Sequence, residues 1–394
     1  MMIFAEFFAG VGLVREGLAS DGWSCAWAND IAQDKRETYA ANFGSGDFVL
    51  DDIWNIAKQP EQIPDNVFLY TASFPCTDLS VAGDRAGLAG EESGTLRALL
   101  HILAQKKQSH TQPGVVLLEN VKGFLTSHKG KDIRNTVKTL NALGYTVDII
   151  ELDAVAFTPQ SRPRVFVIAV DNTLAIQVMR IKDKRNILDT WWSHFHQSPQ
   201  LRSAKLRDLI QTNPDLNWGL FDIPTPEKTL LRLHNIVEDI PEDSPLWWGS
   251  EKQQYLFNQM STGHQAIIRE KIHEPGDFYG TVYRRMRNGQ SMAELRSDGI
   301  AGCLRTPRGG SSKQILVRAG QGNWKARLMT PREYARLQGV RDNFWMPEND
   351  NKGFFAMGDA VCVPVIQYLS RHVLKPTYEV WQHTQQTYNK QRTA

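Results

Sequence analysis

Cysteine is scarce in this chain, and what there is lies scattered. Four residues, Cys25, Cys76, Cys303 and Cys362, are spread over 394 positions without a CxxC pair. That spacing argues against a disulfide framework or a zinc site, so no metal is expected, and it fits a reducing cytoplasm. Long apolar runs are missing too. Nowhere does the chain reach the roughly 18 consecutive apolar residues that a membrane span needs. The opening "MMIFAEFFAGVG" is apolar, but it lacks a basic leader and carries Glu6. It reads as a first buried strand rather than a signal peptide. Charge of one sign is also lacking: Lys and Arg total 45 against 43 Asp and Glu, a formal net charge of +2. A polyanionic partner is therefore neither demanded nor excluded, and a nucleic-acid face would have to arise from local clustering. Internal repeats and low-complexity tracts are absent.

What is present is an ordinary globular composition, 41% hydrophobic and 22% charged, in a chain long enough for two domains. Short apolar runs alternate with amphipathic stretches over residues 1–170. "MIFAEFF", "WSCAWAND", "NVFLYTAS", "GVVLLENV" and "VFVIAV" read as strands. "GLVREGLASDG", "IAQDKRETYAANFG", "TLRALLHILAQKKQ" and "DIRNTVKTLNALG" read as helices between them. Such alternation predicts an open α/β sheet, largely parallel. The pattern breaks between about 172 and 326, where Trp, Pro, Asn and charge accumulate, with 21 Lys/Arg against 16 Asp/Glu. The doublets Trp191–Trp192 and Trp247–Trp248, whose plain reading is core packing, and the cluster "YRRMRNGQ" (283–290) lie there. This stretch predicts a second, smaller, irregular domain over 186–352, with 1–185 and 353–394 forming the first. "TPREYARLQGV" and "GDAVCVPVIQYLSRHVL" have helical spacing, and the polar tail from Pro376 is expected to fray.

"FFAGVG" places Gly10 and Gly12 at the junction of the first strand and helix. Glycines there let a ligand approach the backbone and the free N–H groups of the helix start. A merely tight βα turn is the competing reading, since Leu13 stands where a third glycine would complete a dinucleotide fingerprint. Asp30 ends the second strand about 20 residues on, where a carboxylate can accept from two ribose hydroxyls. Asp52 is placed to hold an adenine amino group, or else to cap the next helix. Together these point to an adenosine-bearing cofactor, without choosing between a nicotinamide cofactor and S-adenosylmethionine.

In "ASFPCTDLS" Cys76 falls at the end of a strand, where ligand chemistry gathers in open α/β sheets. A lone cysteine is more often a buried small hydrophobe than a nucleophile. Its neighbours change the balance. "LLENV" sets Glu119 and Asn120 at the next strand end, a place suited to protonating a group in a crevice, the alternative being a helix cap. "QSRPR" sets Arg162 and Arg164 two apart, which alternation puts on one face for anion or carbonyl binding, unless that strand is a solvated edge.

"FAGVG", "FPCTDLS", "ENV", "QSRPR", "RLMTPREYARLQGV" and "GDAVCVPV" occur here in the order and approximate spacing of the DNA cytosine-5 methyltransferases, which this chain resembles over nearly its whole length. The resemblance implies a Rossmann-like sheet binding S-adenosylmethionine and a target-recognition domain. It also implies methyl transfer to C5 of a flipped cytosine in double-stranded DNA through a covalent adduct of Cys76 with C6. On the same footing Glu119 serves N3, Arg164 and Arg162 hold O2 and the carboxylate, and Asn120 orients the loop. Cofactor contacts carry over to Phe8, Gly10, Gly12, Leu13, Asp30, Ile31, Asp52, Ile53, Ser73, Pro75, Leu96, Asp359, Ala360 and Val361. Asp359 replaces a common Asn, Asp30 a common Glu and Leu13 a common Gly. Ser80 and, in "CLRTPRGGSSKQ", Arg305, Arg308 and Lys313 are the expected DNA contacts. The glycine-rich segment after the cysteine is expected to close as a lid.

The biological setting implied is a bacterial or phage modification or defence enzyme, a cytoplasmic monomer with cognate restriction or defence proteins as partners. Three other readings remain at this stage. A tRNA cytosine methyltransferase of the same fold would need a shorter recognition segment. A catalytically silent nucleic-acid binder would typically lack Cys76 or Glu119. An NAD-dependent oxidoreductase leaves the cysteine and both arginines without a role.

Overall fold

The computed structural model describes residues 1–75, 94–183, 190–287, 289–306 and 312–393, with side chains through Gln386. These fall into two compact units: Met1–Leu152, Pro163–Thr225 and Val365–Ala394 form one, and Asp153–Arg162 with Pro226–Pro364 form the other.

The first unit is an α/β sheet built in chain order from β1 (Met2–Phe7), α1 (Leu13–Ala19), β2 (Trp23–Asp30), α2 (Gln33–Phe43), β3 (Phe48–Leu50), α3 (Ile53–Lys58), β4 (Leu69–Ser73), α4 (Thr95–Gln108), β5 (Val115–Val121), α5 (Lys131–Ala142), β6 (Tyr145–Asp153) and β7 (Pro163–Asp171). The seven strands lie in the order β3-β2-β1-β4-β5-β7-β6. β1 to β5 run parallel where they pair, whereas β7 is antiparallel to β5. Strand order reverses between β1 and β4, and the crevice at such a switch point is where open α/β sheets bind ligands. Continuous apolar runs such as "VVLL" are buried on both faces, as covered parallel strands require.

β6, "YTVDIIELD", is a strand that its sequence hides, because two acids interrupt it. Both are buried and partnered: Asp148 with Arg202 at 2.7 Å, and Glu151 with Lys122 at 2.7 Å. Arg202 belongs to the stretch after the sheet, which comprises α6 (Asn172–Val178), a short pair β8 (Arg180–Ile181) and β9 (Gly219–Leu220), α7 (Trp191–Gln197) and α8 (Ala204–Gln211). Trp191, Phe195, Leu206 and Trp218 complete the core of the sheet. Residues 190–225 therefore belong with the sheet unit, and the second unit begins some forty residues beyond the expected boundary at 186.

The second unit is more regular than its composition suggests. α9 (Ser250–Asn258) and α10 (Thr262–Lys271) accompany a four-stranded antiparallel sheet of β10 (Phe278–Arg287), β11 (Gln290–Arg296), β12 (Ile315–Gly320) and β13 (Asn323–Leu328), in the order β11-β10-β12-β13. Leu256, Ile268, Val282, Ile315 and Val317 form its core, with Trp248 packed against it. α11 (Pro331–Leu337) and α12 (Asp350–Asp359) complete it, and from Val365 the chain belongs again to the first unit, with α13 (Val363–Leu369) and α14 (Lys375–Thr393). Asp350–Gln386 is apolar and long enough by composition for a span, yet most of it is buried, as in a core helix. The tail expected to fray is helical instead. Tyr378 and Trp381 anchor its first turns, each with its ring centroid 5.1 Å from that of Phe68.

Candidate active site

Beyond β1 the chain turns through Phe8 (φ 56°), Gly10 (φ 57°) and Gly12 (φ 84°). Left-handed backbone at phenylalanine is strained, and such strain concentrates at functional turns. Among the described residues, a Cβ added at Gly10 would meet nothing within 4 Å, so the turn is open there. At Gly12 a Cβ would lie 2.5 Å from the Phe43 ring and 2.9 Å from that of Tyr39. The glycine there is a packing requirement as well as a conformational one. Two carboxylates hold the turn. Asp30 accepts from Gly10 N–H at 2.8 Å and from Ala32 N–H at 3.0 Å. Glu6, buried in β1, accepts from the backbone N–H of Arg15 in the first turn of α1, where Gly12 supplies no side-chain cap. Burial pushes the Glu6 carboxyl up to about 8, against the opposing pull of Arg15. Arg15 in turn donates to Tyr39 Oη at 2.7 Å and to Asp47 Oδ2 at 2.6 Å. Burial also raises the Cys25 thiol to about 12, which makes that cysteine inert. Nothing in the sequence beyond the position of Glu6 on β1 signals this network.

The expected cofactor contacts divide by exposure. Ile31 is 68% exposed beside Asp30, a large aliphatic side chain left open at the carboxyl end of β2. Leu13, Ile53 and Leu96 are instead buried in the core. Asp52 is the N-cap of α3, its Oδ1 accepting from Trp54 N–H at 2.7 Å. An open glycine turn, a carboxylate with further acceptor capacity and an uncovered aliphatic wall together fit an adenosine-bearing cofactor.

On the other side of the switch point Ser73 of β4 stands in register with Glu119 of β5. Glu119 Oε1 is 2.9 Å from Arg164 Nε, both side chains being largely buried. β7 runs antiparallel to β5 and pairs Arg164 with Val121, which brings its guanidinium back to that carboxylate. Asn120 is buried and donates its amide to Phe74 O at 3.0 Å, while its own oxygen accepts from Val121 N–H at 2.8 Å. This fixes the backbone just ahead of Pro75. Cys76, Ser80 and the rest of the expected lid before Gly94 lie outside the described residues, as does Arg308.

The second unit places the remaining residues. Arg162 precedes β7, so alternation along that strand does not govern it. It is 2% exposed and donates to three carbonyls: Leu304 at 3.0 Å, Gly358 at 3.1 Å and Ala360 at 2.7 Å. Gln160 donates to Leu337 O and Gln338 Oε1, and Gln338 donates to Met357 O and Ala360 O. The segment Gly358–Val361 is thus tied down from "QSRPR" and from "RLQG", with Asp359 exposed and Val361 buried. In "RLMTPRE", Thr330 and Glu333 form a capping box for α11, and Glu333 meets Arg327 in an ion pair excluded from solvent. Arg305 is exposed. Lys313 donates to Asn351 Oδ1 at 2.7 Å and lies 4.4 Å from the Phe354 ring centroid. Among the described residues no group of three or more His, Cys, Asp or Glu could hold a metal ion.

Residues 2–375 match the family described as C-5 cytosine-specific DNA methylase. The chain is 27% identical over 372 residues to the type II methyltransferase M1.ScrFI of Lactococcus lactis subsp. cremoris, covering 94% of this chain and 77% of that protein. It is 25% identical over 373 residues to M.HhaI of Haemophilus parahaemolyticus, covering 94% and 93%. Among solved structures, Dnmt2 of S. pombe aligns at a TM-score of 0.59 with 18% identity over 95% of this chain and 99% of that one. A prophage-encoded DNA modification methyltransferase described from E. coli aligns at 0.57 with 19% identity over 97% and 100%. At such identities the structures speak to the fold alone.

Proposed function

Because this chain belongs to the C-5 cytosine-specific DNA methylase family, which generally uses S-adenosylmethionine, we propose that it methylates C5 of a specific cytosine in duplex DNA with that cofactor. The observation that carries this reading is the group at the carboxyl ends of β4 and β5. There the Glu119–Arg164 pair sits beside the Asn120-held approach to Cys76.

Cytosine C5 is a poor nucleophile until a group adds at C6. The Cys76 sulfur forms that bond to an extruded base, at an unstacking cost of a few kcal/mol. Glu119 hydrogen-bonds to N3 or protonates it as the ring becomes an enamine. Arg164 holds Glu119 in place and addresses O2. Asn120 holds the backbone at Phe74, two residues before Cys76 in the chain. S-adenosylmethionine, when bound, supplies an electrophilic methyl group for C5. Loss of the C5 proton to a base, through water, and departure of the Cys76 sulfur restore the aromatic ring. Gly10, Asp30 and Ile31 are the residues best placed to hold the cofactor, with Phe8 and Ser73 flanking; Asp359 is carried over by resemblance alone. The relatives are named type II methyltransferases, which supports our reading of a bacterial or phage modification enzyme working alongside a cognate restriction or defence protein.

The test is tritium transfer from methyl-labelled cofactor to duplex DNA, with digestion to nucleosides identifying 5-methylcytosine. C76A is expected to abolish transfer. DNA containing 5-fluorocytosine is expected to trap an adduct at Cys76, and turnover with that side chain unmodified would overturn the mechanism.

A further inference from the structure

The basic residues of α5 meet no acids. Lys131, Arg134 and Lys138 fall within about 60° of one another around the helix and span about 10 Å of its axis. All three are exposed, as is Lys129 in the turn that leads into the helix. Among the described residues none of these four side chains has a carboxylate partner. Other cations of the same unit are matched, Lys122 by Glu151, Arg180 by Asp222 and Arg371 by Asp21. Asp132, the acid in the first turn of α5, does not serve the stripe. It is buried, its Oδ2 accepting from Ser127 Oγ at 2.5 Å and lying 3.0 Å from His128 Nδ1. Cations near a helix N-terminus oppose the macrodipole, so the arrangement costs the fold stability, and no side-chain cap at Gly130 offsets it. The stripe also has a telling position. Lys131 follows Val121 of β5 by ten residues, and a helix leaving a parallel strand starts at that strand's carboxyl end, the end that carries Glu119 and Asn120.

We propose that Lys129, Lys131, Arg134 and Lys138 form a sequence-independent surface on the first unit that holds the phosphates of duplex DNA flanking the target base. The surface rests on the reading of the chain as a DNA methyltransferase, and it is additional to the contacts expected of Ser80, Arg305, Arg308 and Lys313. A duplex carries one charge per about 1.7 Å of axis, so a stripe about 10 Å long faces about six phosphates, enough to engage every cation in it. Phosphate contacts hold a protein on DNA without reading bases and let it slide. Three of the four residues are lysines, whose flexible point charges follow a shifting phosphate better than an arginine fork does. The exposed neighbours on α5 are Asn135 and Thr139. The stripe thus lacks the apolar and aromatic centre that a protein partner would bury, and lysine is depleted at such interfaces.

The experiment measures binding of the full-length protein to a fluorescent random-sequence 30-bp duplex between 50 and 200 mM salt, alongside methyl transfer to plasmid DNA. Each phosphate contact contributes about 0.9 to the slope of log Kd against log salt. K131Q/R134Q should make that slope shallower by about 1.8, so that about 12-fold less affinity is lost across this range. The same variant should raise the KM for plasmid with kcat unchanged, and it should melt no lower than the parent, since the cations removed oppose the helix dipole. K58Q, at an exposed lysine on α3, should change neither slope nor KM. An unchanged slope or KM in K131Q/R134Q, or an equal shift in K58Q, overturns the surface while leaving the methyltransferase reading intact if the parent methylates the plasmid. A lower melting temperature or a reduced kcat in K131Q/R134Q marks a structural role and overturns it too. Tighter binding of transfer RNA or of polyglutamate than of the duplex by the parent, lost in K131Q/R134Q, reassigns the stripe and overturns the DNA surface. A parent that neither binds nor methylates duplex DNA overturns both readings.

Discussion

Arg162→Lys separates two roles for the first arginine of "QSRPR": contact with the substrate, or a brace inside the second unit. Its guanidinium donates to Leu304 O, Gly358 O and Ala360 O from a site 2% exposed to solvent. A hydrogen bond from a charged donor contributes about 1.5–3 kcal/mol. A lysine ammonium is compact and reaches one of these diverging carbonyls, leaving two buried acceptors without their donor. The loss is then about 3 kcal/mol, taking the lower end because neighbouring bonds are not additive. With an m-value of about 2–3 kcal/mol/M, the urea midpoint should fall by about 1–1.5 M. Arg164→Lys keeps a cation next to Glu119 and should cost less stability, while lowering methyl transfer by disturbing that carboxylate. Urea unfolding is followed by fluorescence, which Trp247, Trp248 and Trp324 report from the second unit. Transfer is measured in parallel on folded protein. If R162K unfolds within about 0.3 M of the parent yet loses methyl transfer, Arg162 works on the substrate and the brace is refuted.

Glu6→Gln tests the carboxylate beneath the glycine turn. Because burial raises the folded-state carboxyl from 4.5 to about 8, folded protein binds the proton more tightly than unfolded chain, and stability falls as pH rises through that interval. Glutamine keeps an acceptor for Arg15 N–H but does not ionise. The variant should therefore flatten the pH profile of thermal unfolding and be more stable than the parent above pH 8. Gly358→Ala should destabilise the second unit by about 2 kcal/mol, because the new Cβ would sit 2.7 Å from Arg305 C and Thr306 N, both backbone atoms. Thermal unfolding and protease susceptibility near Arg305 check it. Asn120→Ala should slow adduct formation with 5-fluorocytosine DNA while leaving cofactor affinity near the parent's, since Phe74 O loses the donor that fixes it. Stopped-flow trapping and calorimetry separate those two effects.

The parallel core of the fold was legible because β1, β2, β4 and β5 are apolar runs punctuated by helical spacing, and burial on both faces of a covered sheet demands such runs. β6 was not, because Asp148 and Glu151 break its apolar period, and their partners Arg202 and Lys122 stand far away in the chain. The antiparallel sheet of the second unit was hidden for a related reason: β10 is apolar only to Val282, and its outer half carries arginines that no alternation rule assigns to a core. The site divides the same way. Asp30 and Glu119 announced themselves by standing at strand ends. The work of Arg162, Gln160 and Gln338 is hydrogen bonding to carbonyls, and a carbonyl leaves no residue-type signature for sequence reasoning to find. Side chains of one motif therefore need not share one task. Arg164 pairs with an acid two strand positions away from its own register partner, whereas Arg162, two residues earlier, holds backbone. Strand β7 begins between the two arginines of "QSRPR". Pro163 opens that strand, and only the arginine after it is carried back along the sheet to Glu119.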